Sequence, residues 1–123
     1  MLLNNRSVSA VETVSLPKDC RLRKRAEFLQ LASAKHKISV PGFLVVWGYN
    51  NLQLSRIGIT VSKKVGCAVV RNRLKRYVRE YFRHIRFDIQ IVDVNVIARR
   101  ESAEMSFSDV KRELAKAFHK IGN

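Results

Sequence analysis

Apolar and polar residues alternate along this chain with two different periods, and each change of period marks an element. In residues 24–34 the spacing is helical, with Phe28, Leu31 and Ala32 on one side. A short helix is predicted there. Pro41-Gly42 is a turn signal. The stretch FLVVWGY, residues 43–49, is aromatic and β-branched, which favours a strand. Asn50-Asn51 marks a further turn. Residues 56–62, RIGITVS, alternate strictly, with Ile57, Ile59 and Val61 facing one way and Arg56, Gly58, Thr60 and Ser62 the other. That pattern predicts a half-buried strand.

The period then becomes helical over residues 67–85, following Gly66. Val70, Leu74, Tyr77, Val78, Tyr81 and Ile85 gather on one face, and Arg71, Asn72, Lys75, Arg76, Arg79 and Arg83 on the other. The prediction is an amphipathic helix with a cationic outer face. Residues 91–98, IVDVNVIA, alternate again, with Val92, Val94, Val96 and Ala98 on one side. Ser106 with Asp109 forms a variant capping box that opens a last helix, striped by Val110, Leu114, Ala117, Phe118 and Ile121. The predicted order is helix, strand, one or two more strands, helix, strand, helix.

A chain of 123 residues, 46% of them hydrophobic, supports one domain with a real core. Residues 16–123 are expected to form it. Residues 1–15 are a polar extension of the kind that is often disordered, without the apolar core of a signal peptide. No apolar run approaches the ~20 residues that span a bilayer, so no membrane partner is expected. Cys20 and Cys67 stand far apart without CxxC or Cys/His spacing, which suggests neither a disulfide framework nor zinc. A reduced, cytoplasmic setting is the simpler reading.

Charge changes the picture most. The net charge is +14, and the surplus lies in residues 18–86, where seventeen Lys and Arg face only Asp19, Glu27 and Glu80. Both flanks are balanced. Helix faces ordinarily mix signs, because like charges at i,i+4 cost a few tenths of a kcal/mol each. Here Arg71, Lys75, Arg79 and Arg83 follow one another at that spacing. A polyanion that relieves the repulsion is the natural partner, and RNA or DNA fits better than a membrane surface. Arginine forks pair bidentately with phosphate. Phe28, Phe43, Trp47 and Tyr49 offer either stacking platforms or core. Catalytic chemistry is absent from the pattern. His36, His84 and His119 are widely separated, and no metal-binding acid pair or phosphate-cradling glycine loop accompanies them.

These residues carry a resemblance. SKKVGCAVVRNRLKR, residues 62–76, closely resembles the signature of the bacterial ribonuclease P protein family: Ser-Lys-Lys, a glycine, Ala-Val, then Arg-Asn-Arg-x-Lys-Arg. LPKDCRLRKRAEF, residues 16–28, is similar to that family's opening, and IARRESAEMSFSDVKRELAKAF to its ending. The resemblance implies an α+β, two-layer α/β sandwich of order αβββαβα, with a left-handed crossover around the basic helix. It implies the protein subunit of a ribonucleoprotein that removes the 5′ leader of precursor tRNA, in which the RNA subunit is the catalyst through Mg2+ and the protein alone is inactive. It implies that Lys63, Lys64, Arg71, Asn72, Arg73, Lys75, Arg76 and Arg79 contact the catalytic ribonuclease P RNA or lie at its junction with precursor tRNA. A cleft for the leader is implied between the first helix and the sheet, lined by Phe28, Val46 and Arg56. Ala32 and Val46 stand where some members carry aromatics, which puts base stacking in that cleft in question. Trp47 should point to the other face of its strand. Two rival readings are a general or ribosomal RNA-binding protein of related fold, and a self-sufficient nuclease using a histidine.

Overall fold

The computed structural model describes residues 16–33 and 36–121, and the expected extension over residues 1–15 lies outside them. The order is α1 (Arg25–Ala32), β1 (His36–Val40), β2 (Phe43–Tyr49), β3 (Arg56–Thr60), α2 (Ala68–Ile85), β4 (Val92–Ala98) and α3 (Phe107–His119). Short 3-10 turns lie at Lys18–Cys20 and Arg100–Glu104. This is the αβββαβα order that the resemblance implies.

Four strands form one sheet in the order β1-β2-β4-β3. β1/β2 and β2/β4 are antiparallel, and β3/β4 is parallel. A parallel neighbour needs a crossover, and α2 supplies it. Val40 and Phe43 pair across the Pro41-Gly42 hairpin, where Gly42 has φ +86°. That is the left-handed region that glycine enters without a Cβ clash. The N-terminal segment lies along the outer edge of β3, where Arg21 bridges Ile57 and the Leu22 N–H donates to the Ile57 carbonyl at 2.9 Å.

The sheet buries one face deeply. Phe43, Val45 and Trp47 of β2, Ile57 of β3 and the four alternating residues of β4 meet Leu74, Val78 and Phe82 of α2 and Val110, Leu114, Ala117 and Phe118 of α3. On the far face α1 forms a smaller cluster of Leu22, Leu31 and Val46, with Phe28, Leu44 and Ile97 partly buried. α3 begins as its capping box predicts: Ser106 Oγ accepts the Asp109 N–H, and the Ser106 N–H donates to the Asp109 carboxylate, both at 3.1 Å.

Several expectations change. The residue pattern alone did not show β1, because an edge strand with only Val40 buried presents no clear alternation. The alternating run at residues 56–62 stops pairing at Thr60, where the chain turns through Ser62–Val65. Ala32 is exposed rather than packed beside Phe28 and Leu31. On α2 the fully buried aromatic is Phe82, and Tyr77 and Tyr81 are only half-buried. The buried stripe is therefore centred on Leu74, Val78 and Phe82 rather than on Tyr77 and Tyr81.

Phe82→Ala should cost about 3–5 kcal/mol of stability, the usual result of emptying a packed aromatic site. Urea unfolding measures it. A loss well under 1 kcal/mol would show that this site collapses freely and that the seating of α2 depends on other residues.

Candidate nucleic-acid interface

α2 is strongly amphipathic, and its packing decides where each cation stands. With Leu74, Val78 and Phe82 buried, Asn72, Arg76 and Arg79 face solvent, and Arg71, Arg73 and Lys75 are half-buried along the two flanks. Lys63 and Lys64 are exposed on the turn that leads into the helix. All eight sequence-predicted RNA contacts therefore lie on one helix and its entry turn.

Two of these arginines are partly committed. Arg71 Nε donates to the Gly66 carbonyl at 3.2 Å, which ties the first turn of α2 to the entry loop. Arg73 Nη2 donates to the Ala103 carbonyl at 2.6 Å, which ties the helix to the 3-10 turn before α3. Neither carbonyl neutralises a guanidinium charge. Arg76 lies over the Tyr77 ring at 5.8 Å from its centroid. Burial, and then the nearby charge of Arg21, hold Arg79 below the ordinary arginine value. The one carboxylate of the helix, Glu80, pairs with Arg83 and lies 3.1 Å from His84 Nε2. So Arg83, counted with the free cations from spacing alone, is the one that is compensated. Cys67 stands at the N-cap position of the helix without a capping hydrogen bond from its side chain, and its exposed thiol is held below the usual range by the nearby N–H groups of Val70 and Val69.

The far face of the sheet is different. Phe28 lies across Gly58: a Cβ there would stand 2.5 Å from Phe28 Cε1. Any side chain at 58 would have to displace the Phe28 ring. Val46 is 3% exposed, so it is floor beneath α1 rather than a surface for bases. Phe43 and Trp47 are core; Trp47 points away from α1 as expected and stacks on His36 at 4.2 Å. Of the four aromatic residues considered for stacking, only Tyr49 is largely exposed.

Arg56 holds this face together. Its Nη1 donates to Glu27 at 2.7 Å, and its Nε and Nη2 donate to the two Asp93 oxygens at 2.9 and 2.7 Å. The parallel register sets Arg56 against Asp93, and Asn50 donates to the same carboxylate at 2.8 Å. Glu27 also accepts the N–H groups of Arg23 and Lys24, at 2.9 and 3.0 Å. Those two backbone donors chiefly, and Arg56 after them, hold the Glu27 carboxyl at about 2. The pair of carboxylates raises Arg56 in turn. Sequence spacing gave no sign of this strap, because its members are 29 and 37 residues apart.

Among the described residues no group of three or more His, Cys, Asp or Glu gathers as a metal site. No described helix is long and apolar enough to cross a membrane. The three histidines lie on three different elements: His36 on β1, His84 on α2 and His119 on α3.

An antiparallel-dominated sheet that displays a helix of uncompensated cations defines a nucleic-acid-binding α+β protein. The family model for ribonuclease P matches residues 16–122. The ribonuclease P protein component of Geotalea uraniireducens is 37% identical over 107 residues, covering 87% of this chain and 95% of that one. That of Desulforapulum autotrophicum is 44% identical over 108 residues, covering 87% and 92%. The solved Staphylococcus aureus RNase P protein superposes with a TM-score of 0.78 at 33% identity, covering 85% of this chain and 98% of that one. The Thermotoga maritima protein, solved with 1-(4-fluorophenyl)-2-thiourea, gives 0.77 at 36%, covering 82% and 99%. The chain belongs to the ribonuclease P protein family. Its role is that of a tRNA-processing subunit within a ribonuclease that includes RNA.

Because the folded-state value of Glu27 lies below its ordinary 4.5, its contribution to stability is full above that pH and fades as pH falls toward about 2. Glu27→Gln should lower the melting temperature by a few degrees at neutral pH and hardly at all near pH 2. Melting curves of both proteins across that range measure the gap. A gap that stays constant down to the acid end would mean that the ionised carboxylate is not its source.

Proposed function

We propose that this protein holds the two RNAs of a tRNA 5′-maturation reaction on its two faces and leaves the chemistry to the RNA subunit. The observation that carries the reading is the sign of α2: an exposed cationic face whose only carboxylate is already paired. Lys63, Lys64, Arg71, Asn72, Arg73, Lys75, Arg76 and Arg79 contact the catalytic ribonuclease P RNA or its junction with precursor tRNA. Each phosphate neutralised there releases counterions, so binding weakens with salt. Mg2+, bound by the RNA, supplies the metal chemistry of hydrolysis. Residues 16–123 act as one domain, in the cytoplasm.

The groove between α1 and the sheet takes the single-stranded 5′ leader. Phe28 gives it an aromatic wall, and Val46, buried beneath α1, supports that wall from behind. Arg56 serves by holding α1 at a fixed height through Glu27 and Asp93, since its charge is already matched. With Ala32 exposed and Val46 buried, Phe28 is the aromatic the groove relies on, and the leader is held more by shape and backbone than by repeated stacking.

Cleavage of precursor tRNA at physiological magnesium tests the reading with protein alone, a bacterial ribonuclease P RNA alone, and both. Strong 5′ cleavage is expected only with both. Cutting by the protein alone would establish a histidine nuclease, and no effect of adding protein would favour a general RNA-binding role. Arg76→Ala should weaken RNA binding and flatten the log–log salt slope by at most about 0.9; an unchanged slope would remove Arg76 from the phosphate contacts. Phe28→Ala should reduce the preference for precursor over mature tRNA. Equal loss for both, with a lower melting temperature, would make Phe28 a packing residue only.

A further inference from the structure

Phe107, the first residue of α3, is half-buried yet belongs to neither apolar cluster of the sheet. It rests instead on Tyr77 of α2, with ring centroids 5.3 Å apart. The ring planes meet at 37°, so the pair is not closed by parallel stacking. A hollow of about 210 Å³ lies beside the two rings, and Arg76 and Glu80 complete its lining. That is smaller than the roughly 300–1,000 Å³ of pockets that enclose a whole small molecule, and it suits a single ring system.

Cations frame the rings. The Arg76 guanidinium lies over Tyr77 at 5.8 Å from the ring centroid, and Lys111 Nζ lies over Phe107 at 5.5 Å. Both cationic side chains are exposed. On α3, Arg112 pairs with Asp109 and Glu113, and Lys116 pairs with Glu113. Lys111 and Arg76 have no carboxylate partner among the described residues. Glu80, the carboxylate of the hollow, is held through Oε2 by Arg83 and His84. So α2 and α3 each bring one aromatic ring and one uncompensated cation to the same spot. Packing accounts for Tyr77, which lies against the core. It accounts neither for Phe107 nor for the cation over each ring.

We propose that Tyr77 and Phe107 form a stacking site for one unpaired base of the ribonuclease P RNA, with Arg76 and Lys111 on the phosphates to either side of it. The inference deepens the reading of α2 given above and rests on it. The chemistry commits the site to a nucleotide: aromatic rings take the base, and cations take the backbone. A free phosphate would be repelled from a hollow that holds a carboxylate. The position commits the site to the RNA subunit. Arg76 belongs to the signature face, and α2 and α3 cover the side of the sheet opposite the α1 groove assigned to the leader. Phe107 and Lys111 belong to neither the signature nor the expected groove.

The test measures binding of the ribonuclease P RNA, without tRNA, to the full protein and to Phe107→Leu, Phe107→Tyr and Lys111→Gln. Leucine keeps an apolar contact with Tyr77 and loses the ring, whereas tyrosine keeps the ring. Melting curves check that each variant is folded at the binding temperature. Phe107→Leu should weaken binding by about fivefold or more, the lower end of what a base stacked on an aromatic ring contributes. Its log–log salt slope should not change, since stacking releases no counterions. Phe107→Tyr should bind like the unaltered protein. Lys111→Gln should flatten the slope by about 0.7, the share of one single-strand phosphate. Equal loss for the leucine and tyrosine variants, no loss for either, or an unchanged slope for Lys111→Gln would overturn the site. So would a loss that appears only when precursor tRNA is added, which would put a tRNA base there. If Arg76→Ala also leaves RNA binding untouched, the reading of α2 fails as a whole. If Arg76→Ala weakens binding and Phe107→Leu does not, that reading stands and the stacking site alone falls.

Discussion

The seating of α2 on the sheet is the contact on which the rest depends. Leu74, Val78 and Phe82 are fully or almost fully buried, and each such side chain contributes about 1.5–3 kcal/mol. Repulsion among the cations of its outer face costs a few tenths of a kcal/mol per pair. The apolar term therefore wins with a wide margin, and the helix forms without any RNA present. The charge is held on a rigid element and not gathered as the partner arrives, so no ordering of the backbone has to be met on binding. The same seating fixes the rotation of the helix, and rotation decides which arginine is free. Arg76 and Arg79 face outward, Arg71 and Arg73 brace the two flanks through carbonyls, and Arg83 is paired with Glu80.

The two faces of the sheet divide the work by their chemistry. The α2/α3 face holds a large apolar core and presents charge only on its outer side. The α1 face has a thin apolar cluster reinforced by ionic contacts, and it leaves a groove. A thin cluster alone would let a short helix shift against the sheet. Arg56, held by Glu27 on α1 and Asp93 on β4, adds directional bonds whose geometry fixes α1 in height and register. The absence of a side chain at Gly58 lets Phe28 lie close. Gly58 and Arg56 thus both bear on how closely α1 lies against the sheet.

Much of the fold and of the cationic helix face was legible in the sequence, because both rest on periodicity. β2 and β4 bury alternate residues, α2 and α3 bury a stripe, and the start of α3 is written in Ser106 and Asp109. The eight cations and amides of the signature appear on the predicted helix and turn. What the pattern did not show is where periodicity is weak or contacts are distant. β1 is an edge strand with little burial. Phe82 lies off the face that spacing centres on Tyr77 and Tyr81, and only the packing of the helix, with Phe118 among its partners, shows it to be buried. The resemblance implies a cleft position for Arg56, but its ion pairs with Glu27 and Asp93 depend on a parallel register that the sequence does not encode locally.

By itself, the sequence determined the order of the strongly periodic elements, the segregation of charge into residues 18–86 and the chemical character of the basic helix. Local spacing and composition are enough for these, since neighbours three, four or two residues apart share a face whatever the rest of the chain does. Only the tertiary structure decided which cations remain uncompensated, how α1 is strapped over the sheet, and that the N-terminal segment lies along the β3 edge. Those outcomes depend on residues tens of positions apart meeting at a few ångströms. Strand order and register set such meetings, and the packing of the whole core fixes both.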